Sequence, residues 1–166
     1  MMGEIEARCQ VVIAPERPTI TGRKTVFLAG TTSPTSEPNW RETLSLSLSH
    51  LPVTLLNPFR ADWDGTWQED ISDPRFKEQV EWELDMQERA DVVVVYFHPI
   101  TVAPISLLEL GLCARSGKAI VVCPGGTGGY AKRGNVQAVC HRFGLKLVNT
   151  AEELHEEVKK RLEAWS

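Results

Sequence analysis

Short apolar runs alternate with longer amphipathic stretches along most of this chain. Residues 25–29 (TVFLA) form a run of strand length that stops at Gly30. Residues 53–56 form another, closed by Asn57-Pro58. The run 92–97 (VVVVYF) is uninterrupted, the pattern of a strand buried on both faces. Residues 119–123 and 145–148 add two more, and 10–14 read as a short edge strand before Pro15, Pro18 and Gly22. Helical patterns fill the intervals. One spans 39–50. Asp73-Pro74 reads as an N-cap followed by proline at the first helical position of a helix running to about Arg89. A third covers 106–116 and stops at Gly117, and a fourth covers 131–143 with Gly144 as its C-terminal stop. Thr150 and Glu153 make a capping box for a last helix.

Strands that alternate with helices predict an α/β protein. The expected architecture is a flavodoxin-like or Rossmann-like three-layer sandwich, with a mainly parallel sheet of about five strands. At 166 residues the chain suits one domain. It divides into an N-terminal edge segment, 1–22, and a single α/β domain, 23–166. No internal repeat, low-complexity tract or linker interrupts it.

Composition narrows the choice of partner. A net charge of −4 and a pI near 5.6 argue against binding nucleic acid through bulk charge. No stretch approaches the roughly 20 apolar residues of a membrane span. Residues 1–8 carry acids and lack a signal-peptide core, so a cytoplasmic location is expected. Cys9, Cys113, Cys123 and Cys140 form no C-x-x-C pair, and three of them lie in apolar or helical contexts that suit buried, reduced thiols. The four histidines show no metal-ligand spacing, and no metal site is expected.

Open α/β sheets bind ligands beyond the carboxyl ends of their strands. Those ends fall at 29–33, 57–67, 98–106 and 124–130. The loop 57–73 is unusually long for a compact domain and rich in Asp, Trp and Gly. The glycines at 125, 126, 128 and 129 match neither a Walker loop nor a dinucleotide fingerprint. Glu109 stands out. It falls in the expected first turn of a helix and is flanked by Leu107, Leu108, Leu110 and Leu112. A solvent-facing glutamate at a helix start is one reading. The other follows from a helix that is apolar nearly all round and therefore buried, where a carboxylate is costly unless paired or used.

Four segments carry a family resemblance: Val26-Phe-Leu-Ala-Gly30; Trp82-Glu-Leu with Ala90-Asp91; Ser106-Leu-Leu-Glu-Leu-Gly111; and Arg133-Gly-Asn-Val136. In this order and spacing, from about Lys24 to Val148, the chain resembles the nucleoside 2-deoxyribosyltransferases, especially their 2-deoxyribosyltransferase-like branch. The resemblance implies a double displacement at an anomeric carbon. Glu109 is the implied nucleophile, a glycosyl-enzyme the intermediate, and a second nucleobase or water the acceptor, with no cofactor or metal. A carboxylate suits an oxocarbenium-like transition state, because it stabilises the cation and captures it. Glu83 matches the base-contacting acid. Asp85 competes for that role, but the two lie about 200° apart on a helix and cannot both face one pocket.

The resemblance further places Phe27, Gly30 and Ser106 around the substrate. Asn135 would reach sugar hydroxyls, in the family those of a neighbouring subunit, which implies a homo-oligomer. Phe27 replaces the family's usual Tyr, and Ala103 its usual Asp. Thr101 or Ser106 could supply the missing hydroxyl contacts. Asn57 and Arg60, with Asp62, Trp63, Asp64 and Trp67, either close over the base or belong to a loop anchored by its own aromatics. The implied partner is a small nucleoside or nucleotide. A phosphate site near Thr31, Thr32 and Ser33 would favour the nucleotide. Hydrolysis by water, a nucleotide-binding module without catalysis and a flavodoxin-like interaction domain are the alternatives.

Overall fold

The computed structural model describes residues 8–32 and 35–164. Ser33, part of the expected phosphate site, lies outside the described residues, as do 1–7. Strands β1 (Gln10–Ile13), β2 (Lys24–Gly30), β3 (Val53–Asn57), β4 (Val92–Tyr96), β5 (Ala119–Val122) and β6 (Lys146–Val148) form one sheet. Its order is β1-β3-β2-β4-β5-β6, and every neighbouring pair is parallel. The expectation of about five strands in a mainly parallel sheet becomes six in a wholly parallel one. The added strand is the short edge strand β1, held by β3.

Helices α1 (Trp40–Ser47), α2 (Pro74–Arg89), α3 (Pro104–Cys113), α4 (Arg133–Phe143) and α5 (Ala151–Glu163) cover both faces. Side chains alternate along each strand, so β2 sends Phe27 and Ala29 to one face and Val26 and Leu28 to the other. The first face packs on Trp82 and Met86 of α2, Leu110 of α3 and Val136 of α4. The second packs on Leu44 of α1 and on Leu154 and Val158 of α5. Polar caps fix the helix starts. Asn39 accepts from the Arg41 N–H, Asp73 from the Arg75 N–H, and Thr150 from the Glu153 N–H.

Two local expectations change. Helix α3 starts at Pro104, which puts Glu109 in the second turn, beyond the reach of the helix N-terminus. It is also not buried all round. Ser106, Glu109, Leu110 and Cys113 form the inward stripe, while Ile105, Leu108 and Leu112 are each about 60% exposed. The long loop between β3 and α2 packs on itself. Trp63 packs against Trp67 in a tilted arrangement with ring centroids 4.6 Å apart, and the Arg60 guanidinium lies over Trp67 at 4.8 Å while forking onto Asp62. The four cysteines are free, and no described helix is long and apolar enough to cross a membrane.

Phe27 is wholly buried and meets Trp82 with ring centroids 6.2 Å apart. Phe27→Ala should therefore lower unfolding free energy by about 3–5 kcal/mol, read from urea denaturation. A loss under about 1 kcal/mol would show that this contact is not part of the core.

Candidate active site

The strand order reverses at β2, with β3 on one side and β4 on the other. The crevice beyond the ends of β2 and β4 is the place where a doubly wound sheet accepts a ligand. Gly30 ends β2 with φ +131°, and a Cβ there would meet the Tyr96 backbone at 2.5 Å. The two chains thus approach closely enough that only glycine fits. The next residue, Thr31, ties the rim together. Its N–H donates to the Tyr96 carbonyl at 2.9 Å, and its hydroxyl accepts from the His98 N–H at 3.1 Å. Thr101 Oγ1 lies 3.0 Å from Thr31 Oγ1 and also donates to the His98 carbonyl.

A cleft of about 300 Å3 opens beside this rim. Its walls include Thr31, Glu37, Trp40, Arg41, Phe59 and His98. His98 Nδ1 accepts from the Ile100 N–H, which leaves Nε2–H to donate to Glu37 at 3.2 Å. Trp40 stacks on Tyr96 at 5.0 Å and donates its indole N–H to the Thr31 carbonyl.

Arg41 is the most constrained side chain here. It is buried, and its guanidinium donates to the carbonyls of Leu28, Gly30 and Thr31 at 2.9–3.1 Å. Among the described residues, no carboxylate touches it. Its charge is felt by Glu109 and Glu83, and both in turn act on it; burial lowers its pKa to about 10. Neither glutamate lines the cleft, so Arg41 is what the cleft and the carboxylates share.

Glu109 projects from the inward stripe of α3 and is 7% exposed. Desolvation pushes its carboxyl up to about 8; Glu83 adds to the rise and Arg41 opposes it. Its Oε2 has no hydrogen-bond partner among the described residues. Glu83, from α2, is also raised by burial, against the pull of Gln79 and Arg41. Gln79 sits one turn earlier, donates to Glu83 Oε1 at 3.0 Å and to the Pro58 carbonyl at 2.8 Å, and has no partner for its own buried Oε1 among the described residues. Asp85 points elsewhere. It is exposed and paired with Arg17 at 2.7 Å.

The other expected residues scatter. Phe27 is in the core behind the rim, and Gly30 is at the crevice itself. Ser106 is buried on the same stripe as Glu109. Asn57 accepts from the Phe59 N–H, and Arg60 is engaged by Asp62, Glu78 and Trp67. Asn135 is exposed in the first turn of α4. Arg41, Gln79, Glu37 and His98 were not singled out in the sequence. For Arg41 a signal exists, since it shares the inward stripe of α1 with Leu44 and Leu48. A cation on an apolar stripe marks a buried charge.

A family model described as nucleoside 2-deoxyribosyltransferase like matches residues 23–127, a span that holds both glutamates. No curated protein matches the chain. Among solved structures, a conserved protein from Enterococcus faecalis V583 superposes with a TM-score of 0.57 at 15% identity, over 83% of this chain and 98% of its own. At that identity the likeness is one of fold.

The raised Glu109 carboxyl has a consequence for stability. In the unfolded chain it ionises near 4.5, in the folded protein near 8, so stability falls as pH rises between the two. Glu109→Gln should raise the thermal midpoint by about 10 °C at about pH 9 and leave it nearly unchanged at about pH 4.5. Equal midpoints at both would show that Glu109 is not desolvated.

Proposed function

The chain belongs to the nucleoside 2-deoxyribosyltransferase-like family, and from that membership we propose that it cleaves the N-glycosidic bond of a nucleoside and passes the sugar to a second nucleobase. The observation that carries this reading is the buried Glu109 carboxyl, one oxygen of which has no hydrogen-bond donor among the described residues, with Glu83 as a second carboxyl raised by burial.

In the first displacement the anomeric carbon–nitrogen bond breaks and that carbon bonds to the ionised form of Glu109, a form that grows in population as pH rises toward about 8. The departing base takes the proton of Glu83. Burial raises the Glu83 carboxyl, the direction that favours a general acid. The second base reverses the sequence, returning a proton to Glu83 and freeing Glu109. Gln79 holds Glu83 through its amide, and its unpartnered carbonyl oxygen suits a substrate hydroxyl or amine.

The test is product analysis after incubation with a 2′-deoxynucleoside, with and without a second base. Glu109→Ala should lower turnover at least about a thousandfold with the fold intact. Glu83→Gln should slow base departure more than it changes KM. A new nucleoside formed only with the second base supports transfer, and free sugar alone means that water is the acceptor. Undiminished turnover in Glu109→Ala would remove the nucleophile.

The reading includes a homo-oligomer. Asn135 is exposed in the single chain, as a residue offered to a neighbour must be, and the outer face of α3 is uncharged and open. Sedimentation should show a dimer or larger species at micromolar concentration. A monomer would leave Asn135 without a site to enter.

A further inference from the structure

We propose that Gln79 is a positioning residue that fixes the acidic proton of Glu83 on Oε2, the oxygen it does not touch, so that this oxygen is the one to meet the departing base. The part in turnover rests on the transfer reading; the hydrogen bonds that fix the proton do not. Gln79 is 2% exposed, and its amide nitrogen lies 2.8 Å from the Pro58 carbonyl and 3.0 Å from Glu83 Oε1. A carbonyl oxygen can only accept, so the amide must offer Pro58 its nitrogen. Turned over, it would set its own oxygen against the Pro58 oxygen. The amide has two hydrogens, and one goes to Pro58 and the other to Glu83 Oε1. Gln79 Oε1 then has no partner among the described residues. The fold strands one buried acceptor and keeps both hydrogens aimed at acceptors.

That aim decides which oxygen is protonated. An ionised carboxylate accepts at both oxygens, whereas a carboxylic acid accepts best at its carbonyl oxygen and donates from its hydroxyl. The bond from Gln79 makes Oε1 the carbonyl and leaves the hydroxyl on Oε2. Glu83 Oε2 makes no hydrogen bond among the described residues, so its hydrogen is free for a substrate. As the carbon–nitrogen bond breaks, its electron pair goes to the base nitrogen and the proton moves from Oε2 to that nitrogen. Oε1 accepts from Gln79 before and after, so no hydrogen bond within the protein has to be remade during the step. A purely structural tie between α2 and Pro58 would use one amide hydrogen. The second, aimed at Glu83, is what such a tie does not need.

Infrared spectra of the substrate-free protein at acidic pH, where both carboxyls are neutral, test the arrangement. The bands of Glu83 and Glu109 are assigned by their loss in Glu83→Gln and Glu109→Gln. Gln79→Met keeps the length of the side chain and removes the donor, and should raise the frequency of the Glu83 carbonyl stretch. A folded Gln79→Met whose Glu83 band does not move overturns the proposal. Should Gln79→Met fail to fold, the parent protein decides. Glu83 must absorb below Glu109, which accepts no hydrogen bond among the described residues, and a Glu83 band at or above that of Glu109 overturns the proposal. Turnover tests the role. With an ordinary 2′-deoxynucleoside, Gln79→Met should lower kcat about tenfold or more, with KM little changed. With an N7-methylated purine 2′-deoxynucleoside, whose base leaves as a neutral molecule without taking a proton, the same variant should keep kcat within about twofold of the parent. Equal losses on both substrates mean a structural tie and overturn the positioning role. If the parent protein turns over no nucleoside, the transfer reading is gone and the role in turnover with it, and the infrared comparison alone decides where the proton sits.

Discussion

Everything at this site depends on keeping a carboxyl group out of water without stranding its charge. Burial of Glu109 raises the energy of its ionised form, and a neighbouring acid raises it further. What holds the ionised form within reach is a cation fastened not to the carboxyl but to the backbone of β2. That choice of anchor separates two jobs. The strand end is stiffened by hydrogen bonds, and the interior is given a positive potential, by one side chain.

The sheet explains why these groups meet. Parallel pairing of β2 with β4, with Gly30 set against Tyr96, brings the ends of both strands to one crevice. Arg41 reaches it from α1 on one face of the sheet, and Glu83 and Glu109 from α2 and α3 on the other. At the end of β2 the two layers can exchange influence, because there the sheet stops and no longer screens them.

Much of this was legible in the chain because its signals are local. The run 92–97 could only be a buried strand, Asp73-Pro74 could only open a helix, and the alternation of elements required a parallel sheet. Glu109 stood out because a charge interrupted leucines. Other features depend on tertiary packing and left weaker marks. Arg41 follows a tryptophan at a helix start, where a cation is ordinary, and only its alignment with Leu44 and Leu48 betrays burial. Gln79 shows its purpose only once Pro58 and Glu83 lie on either side of it. The leucines of α3 suggested a helix buried all round, yet hydropathy does not say how many neighbours a helix has. Helical angle set Glu83 and Asp85 on different faces, and the fold gives them different neighbours, Gln79 for Glu83 and Arg17 for Asp85.

The start of α3 is built oddly. Ala103 holds a left-handed backbone, φ 47°, without a side chain able to cap the helix that follows. An L-residue with a Cβ pays about 1 kcal/mol for that conformation, and the first-turn N–H groups gain no local acceptor from it. The helix that carries Glu109 is therefore aimed by a bend that its own residue disfavours, with Pro104 holding the direction just after it. Asparagine tolerates the left-handed region and brings an acceptor to the same point, so the joint beneath Glu109 is a place where this fold has room to be made sturdier.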